Sequence, residues 1–183
     1  MAMYQESIRQ KVTADLRMFA RRESRVYNWK SIVGLFLFSP GFQFIFTRRI
    51  QEAAERLPFV GSSIRKIVWA ISGVLFKSGI DVDAEIGGGF YIPHPYGISV
   101  ARVIIGRDVT LLQNVTIGQS GCGKEENPVL EDGAYIAAGA VVTGKIKVGN
   151  SARVGANCVL LEDLPAGATA VAIPAIIYIR KIT

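Results

Sequence analysis

The chain has 183 residues, half of them apolar, with 21 Lys/Arg, 15 Asp/Glu and a single histidine, His94. That length allows one large domain or two small ones around a sizeable core. Two cysteines give no disulfide framework, and one histidine rules out a three-histidine zinc site in one chain.

The charge is divided unevenly. Residues 1–79 carry 13 Lys/Arg against 5 Asp/Glu (+8), and residues 80–183 carry 8 against 10 (−2), which together give the formal +6. The basic front piece suits an anionic membrane face, whereas no nucleic-acid-binding motif accompanies the charge. Residues 3–26 are expected to be helical, with Val12, Leu16 and Phe19 as the apolar stripe. Ser31–Thr47 is uncharged, and Pro40-Gly41 breaks it into two short buried helices meeting at a turn, with a membrane-dipping hairpin as the alternative. Phe42–Leu57 reads as a helix with Arg48, Arg49, Glu52, Glu55 and Arg56 on its wet side, stopped by Pro58. A last helix is expected from Ile64 to Lys77, with Ile67–Phe76 in the core. No pattern of basic, apolar and cleavage segments marks a secretory signal.

From Ile80 the period changes to six. Ile80, Ile86, Ile92, Ile98 and Ile104 keep that step; Ile105, Leu111 and Ile117 continue it one residue out of phase. Leu130, Ile136, Val142, Val148, Val154 and Leu160 then complete the series. A helix needs a spacing near 3.6 and a strand one near 2. A step of six fits a solenoid in which three short strands make one triangular coil, each aliphatic points at the axis, and stacked coils supply the core. Gln119–Pro128 interrupts the series as a Gly- and Pro-containing loop and is a site candidate. The run Ala170–Ile179 is expected to cap the last coil, and the helices the first. The division is a helical region, 1–79, and a repeat domain, 80–183. Cys158 sits at an inward repeat position as a small hydrophobe, and Cys122 lies in the loop.

His94 lies in Phe90-Tyr-Ile-Pro-His-Pro-Tyr-Gly-Ile98, near a corner and between two prolines that fix the backbone. An imidazole near neutral pKa suits removal of a proton from a hydroxyl, and needs an acid to orient it. Asp81, Asp83 and Glu85 lie upstream, and Asp81 is the preferred partner.

These segments resemble the serine O-acetyltransferase family of hexapeptide-repeat acyltransferases, over about residues 80–175. The resemblance is carried by Ile86-Gly-Gly-Gly-Phe-Tyr-Ile-Pro-His94, Asp108–Gly118, the repeats 130–160 and Asp163-Leu-Pro-Ala-Gly-Ala168. It implies an α+β chain in which the helical segment precedes a left-handed parallel β-helix, assembled as a homotrimer with active sites between neighbouring coils. It also implies acetyl-CoA as co-substrate, no metal, and His94 as the catalytic base with Asp81 as its partner, although the segment between them is about two residues shorter here. The acid that directly precedes the family's histidine is Pro93 in this chain. Residues near Gly118 and Gln119 would steady the oxyanion. Ala138, Gly139 and Ala156 would leave room for the pantetheine arm, and Lys145 would meet a CoA phosphate. Tyr96, Glu126 and Asn127 would face the acceptor.

Members that use free serine carry an Arg-His pair where this chain has Glu126 and Asn127, and an acid there repels a carboxylate. The expectation is therefore O-acetylation of a sugar or lipid-linked saccharide in surface polysaccharide synthesis, with serine a poor substrate. Serine O-acetylation for cysteine biosynthesis is the alternative, and a non-catalytic trimeric scaffold is the alternative of another class. The expected location is cytoplasmic, with peripheral contact between the N-terminal helices and the inner membrane face.

Overall fold

A computed structural model describes residues 6–119 and 127–172. Four helices lead: α1 (Ile8–Arg22), α2 (Trp29–Phe38), α3 (Pro40–Ala54) and α4 (Gly61–Phe76). Local chemistry sets their starts. Ser7 and Gln10 form a capping box at α1, and the Asn28 side chain accepts from the Ser31 N–H at 2.9 Å to open α2. Ser39 ends α2 and caps α3, with Pro40 at its first position, and the two axes bend by 89° across that joint. Lys77 closes α4 in the left-handed conformation at φ 51°.

Thirteen strands of two or three residues follow, from β1 (Gly79–Ile80) to β13 (Thr169–Ala170), all paired in parallel. They form three sheets, which are the faces of a left-handed triangular prism. The first face runs β1, β3 (Ser99–Val100), β6 (Thr116–Gly118), β9 (Val141–Thr143), β12 (Val159–Leu160). Its inward stack is Ile80, Val100, Ile117, Val142, Leu160. The second face stacks Ile86, Ile105, Leu130 and Val148, and the third stacks Leu111, Ile136, Val154 and Ala170. A second buried residue stands two places before most inward positions, as Ala134 does before Ile136 and Cys158 before Leu160. The helices and the coil share one continuous apolar core.

Four expectations change. The phase slips earlier than the spacing suggests: Val100, not Ile98, is stacked on Ile80, and Ile98 fills the corner position two residues before it. Ile105, not Ile104, then points inward. Arg48 and Arg49 are not on a wet face; they are 5% and 2% exposed. The Arg49 guanidinium grips Asp15 of α1 through two bonds of 2.8 and 3.2 Å and donates to Glu52 and to the carbonyls of Ile86 and Gly87. Asp15 in turn accepts from the Phe90 N–H at 2.9 Å. Burial pushes the Asp15 carboxyl up, and Arg49 pulls it back.

The last two corrections concern apolar helices. Within Ile67–Phe76, only Ser72 and Phe76 are buried; Ile67, Ile71, Val74 and Leu75 are more than half exposed. In α2 only Leu35 is buried. Their apolar composition led to the expectation of burial, but most of these side chains face outward. The loop residues 120–126, with Cys122 and Glu126, and the capping run beyond 172 lie outside the described residues.

Candidate active site

The prism brings the site residues onto two of its edges, on either side of the first face. One edge starts at the turn holding His94. Down it runs a ladder of backbone bonds: Asn114 N–H to Tyr96 carbonyl at 2.9 Å, Gly139 N–H to Gln113 carbonyl at 3.0 Å, and Asn157 N–H to Ala138 carbonyl at 2.9 Å. His94, Tyr96, Ala138, Gly139 and Ala156 therefore share one edge. Gly139 is fixed by that stacking: at φ 70°, a Cβ there would lie 2.1 Å from the Asn157 Oδ1.

The other edge carries Asp81, Gly118, Gln119, Asn127 and Lys145. Asp81 N–H donates to the Val100 carbonyl at 2.8 Å, Ala101 N–H to the Ile117 carbonyl at 2.8 Å, and Gly144 N–H to the Gly118 carbonyl at 3.1 Å. Gln119 donates from its side chain to Asn127 Oδ1 at 3.2 Å, tying together the two described ends of the interrupting loop. Lys145 is exposed at the turn between β9 and β10 (Lys147–Val148).

His94 and Asp81 do not meet within one protomer. Gly97 N–H bonds the Lys77 carbonyl, so Asp81 lies four residues further along the first face, roughly 13 Å at strand rise. Asp81 Oδ1 accepts instead from the Asp83 N–H at 2.8 Å, and Asp81 lines a cavity of about 350 Å³ with Lys66, Trp69 and Ser99. The exposed His94 ring has no hydrogen-bond partner among the described residues.

What holds the His94 turn was not read from the sequence. Gly41, in the first turn of α3, lies against its backbone; a Cβ there would be 1.9 Å from the Ile92 carbonyl oxygen and 3.1 Å from that of Pro93. Buried Ser78 donates to the Pro95 carbonyl at 3.0 Å and accepts from the Ile98 N–H at 2.8 Å. Pro40-Gly41 signals a helix start in the sequence, but neither residue type reveals the distant backbone it braces. Among the described residues, no group of three or more His, Cys, Asp or Glu side chains could hold a metal.

A left-handed prism of six-residue repeats, with an exposed imidazole on an edge of small residues, fits an acyltransferase. No family model matches the chain. It is 34% identical over 158 residues to the serine acetyltransferase of Bacillus licheniformis, covering 83% of this chain and 70% of that one. It is 36% identical over 139 residues to that of Helicobacter pylori, covering 74% and 79%. Among solved structures, soybean serine acetyltransferase complexed with serine superposes with a TM-score of 0.78 at 32% identity, over 92% of this chain and 68% of that one. The Neisseria gonorrhoeae serine acetyltransferase in complex with serine gives 0.79 at 26%, over 91% and 67%. The chain belongs to the serine acetyltransferase family. The expectation of a sugar acceptor in polysaccharide synthesis is thereby overturned, and with it the inference from Glu126 and Asn127 against serine. Two substituted loop positions weigh less than likeness along most of the chain.

Proposed function

We propose that this protein transfers the acetyl group of acetyl-CoA to the hydroxyl of serine, the step that commits serine to cysteine. The observation that carries the reading is the edge on which a proline-clamped His94 stands above Ala138, Gly139 and Ala156. His94 accepts the proton of the serine hydroxyl, and the freed oxygen attacks the thioester carbon. The Gln119 N–H, at the end of β6, steadies the oxyanion, and the thiolate of CoA leaves as the ester forms. The small residues below His94 give the pantetheine arm a shallow track along the prism, with Lys145 meeting a CoA phosphate.

The division of the site between two edges supports a closed trimer. In such an assembly the His94 edge of one copy faces the Asp81 edge of the next, so the imidazole gains the acid that its own protomer does not supply. Tyr96 stands on the acceptor side of the histidine turn, and Asn127 faces it from the neighbouring copy.

The test is thiol release from acetyl-CoA, followed with and without serine. Serine-dependent release that falls by about 100-fold or more in His94→Ala is expected, since general-base catalysis typically contributes that much. Release that is indifferent to serine would overturn the acceptor; a variant retaining more than about a tenth of the rate would overturn the base.

A further inference from the structure

We infer that the outward faces of α2 and α4 dock on an anionic lipid bilayer. Val26, Trp29, Val33 and Leu37 follow one another at helical spacing on and just before α2 and are 75%, 70%, 46% and 60% exposed; Phe38 at its end is 80% exposed. On α4, Ile67, Ile71, Val74 and Leu75 form a second such stripe, 54–66% exposed. The two stripes approach the same end of α3. Phe38 precedes its N-terminal cap, and the last turn of α4 packs there through Phe76 on Phe44, with ring centroids 5.2 Å apart.

Charge selects the occupant. Neither helix contains an acidic residue; Lys30 lies on α2 and Lys77 closes α4, while Arg65 and Lys66 turn away from the α4 stripe, toward Asp83 and Asp81. A second copy meeting this surface face to face would set lysine against lysine, whereas an anionic headgroup layer accepts both the apolar stripe and its basic border. Trp29, the first residue of α2, is 70% exposed on that stripe. An indole ring with an apolar body and an N–H donor is suited to the headgroup boundary. Among the described residues no single helix is long and apolar enough to span a bilayer; the bent pair α2–α3 passes by length and composition, but α3 is packed into the core, so the contact proposed is one of lying on the surface.

The full chain is mixed with vesicles of phosphatidylcholine alone or with about a third phosphatidylglycerol, then sedimented, and tryptophan emission is recorded. Binding to the anionic vesicles with a blue-shifted emission is expected, together with little binding to the neutral ones. Lys30→Glu reverses one charge, two units in all, and should lower partitioning about thirtyfold at the usual strength of a basic residue near an anionic surface. Phe38→Ser should weaken binding while leaving the melting temperature in place. Absence of binding to anionic vesicles overturns the inference, as does binding that neither substitution weakens. If Phe38→Ser instead lowers the mass of the lipid-free assembly in light scattering, the face belongs to another copy of the chain and the inference fails. The readout is lipid binding, so the result is independent of the acetyl acceptor.

Discussion

Gly41 of α3 lies against the carbonyl of Ile92, so close that a Cβ on the glycine would stand 1.9 Å from that oxygen. The helix that caps the prism thus presses on the backbone two residues before His94. In Gly41→Ala the added methyl meets backbone rather than a flexible side chain, and something must shift. A loss of about 1–3 kcal/mol is expected from such overpacking. The turnover number should fall further than stability alone explains, because the displaced segment carries His94. Urea denaturation beside steady-state kinetics checks this, and unchanged turnover would mean that the brace does not reach the imidazole.

Ser78 acts on the other flank of the same turn. Its hydroxyl joins the Pro95 carbonyl to the Ile98 N–H, and all three lie in buried surroundings. Ser78→Ala leaves both backbone groups unpaired, at about 1–3 kcal/mol for the buried loss. The turnover number should drop while the Michaelis constant for acetyl-CoA holds, since the small-residue track below His94 is untouched. The pH profile should keep its wild-type midpoint, because Ser78 holds the backbone and does not contact the ring. A moved midpoint would sink the positioning role.

The division of the site makes a sharper prediction. His94→Ala and Asp81→Ala should each be nearly inactive alone. Unfolded together and refolded as a mixture, they should regain activity, because some interfaces then unite an intact His94 edge with an intact Asp81 edge. A dyad contained in one protomer gives no regain. The recovered rate, compared with the statistical share of such interfaces, measures this directly.

The prism was legible because its physics repeats: each coil needs an aliphatic at the axis, and a chance series of such length in step is remote. Its phase was harder to read. Ile98 and Val100 are both buried, one at a corner and one on a face, so a two-residue shift leaves the hydrophobic pattern intact. The burial of Arg48 and Arg49 was illegible for a different reason. Charge argues for water unless a partner is known, and Asp15 comes from a helix 34 residues earlier. His94 was readable as a placed ring from its flanking prolines. Its distance from Asp81 was not, because spacing along the chain does not tell that the two turns stand on opposite sides of the first face.

The Asp15–Arg49 pair yields the last prediction. All five guanidinium N–H groups find acceptors on α1, α3 and the first coil, and Asp15 also holds the Phe90 N–H. Asp15→Leu removes the charge that compensates a guanidinium only 2% exposed, and Arg49→Met strands the carboxylate. Each should cost about 3–5 kcal/mol, the usual penalty for breaking a buried pair from one side. The double variant Asp15→Leu with Arg49→Met should be less damaging than the sum, since no uncompensated charge remains, although the carbonyls of Ile86 and Gly87 then lose their donor. Urea midpoints of the two single variants and the double variant measure the coupling. Strict additivity would show that the two side chains stabilise the cap independently, and that the pair is not what fastens α1 and α3 to the first coil.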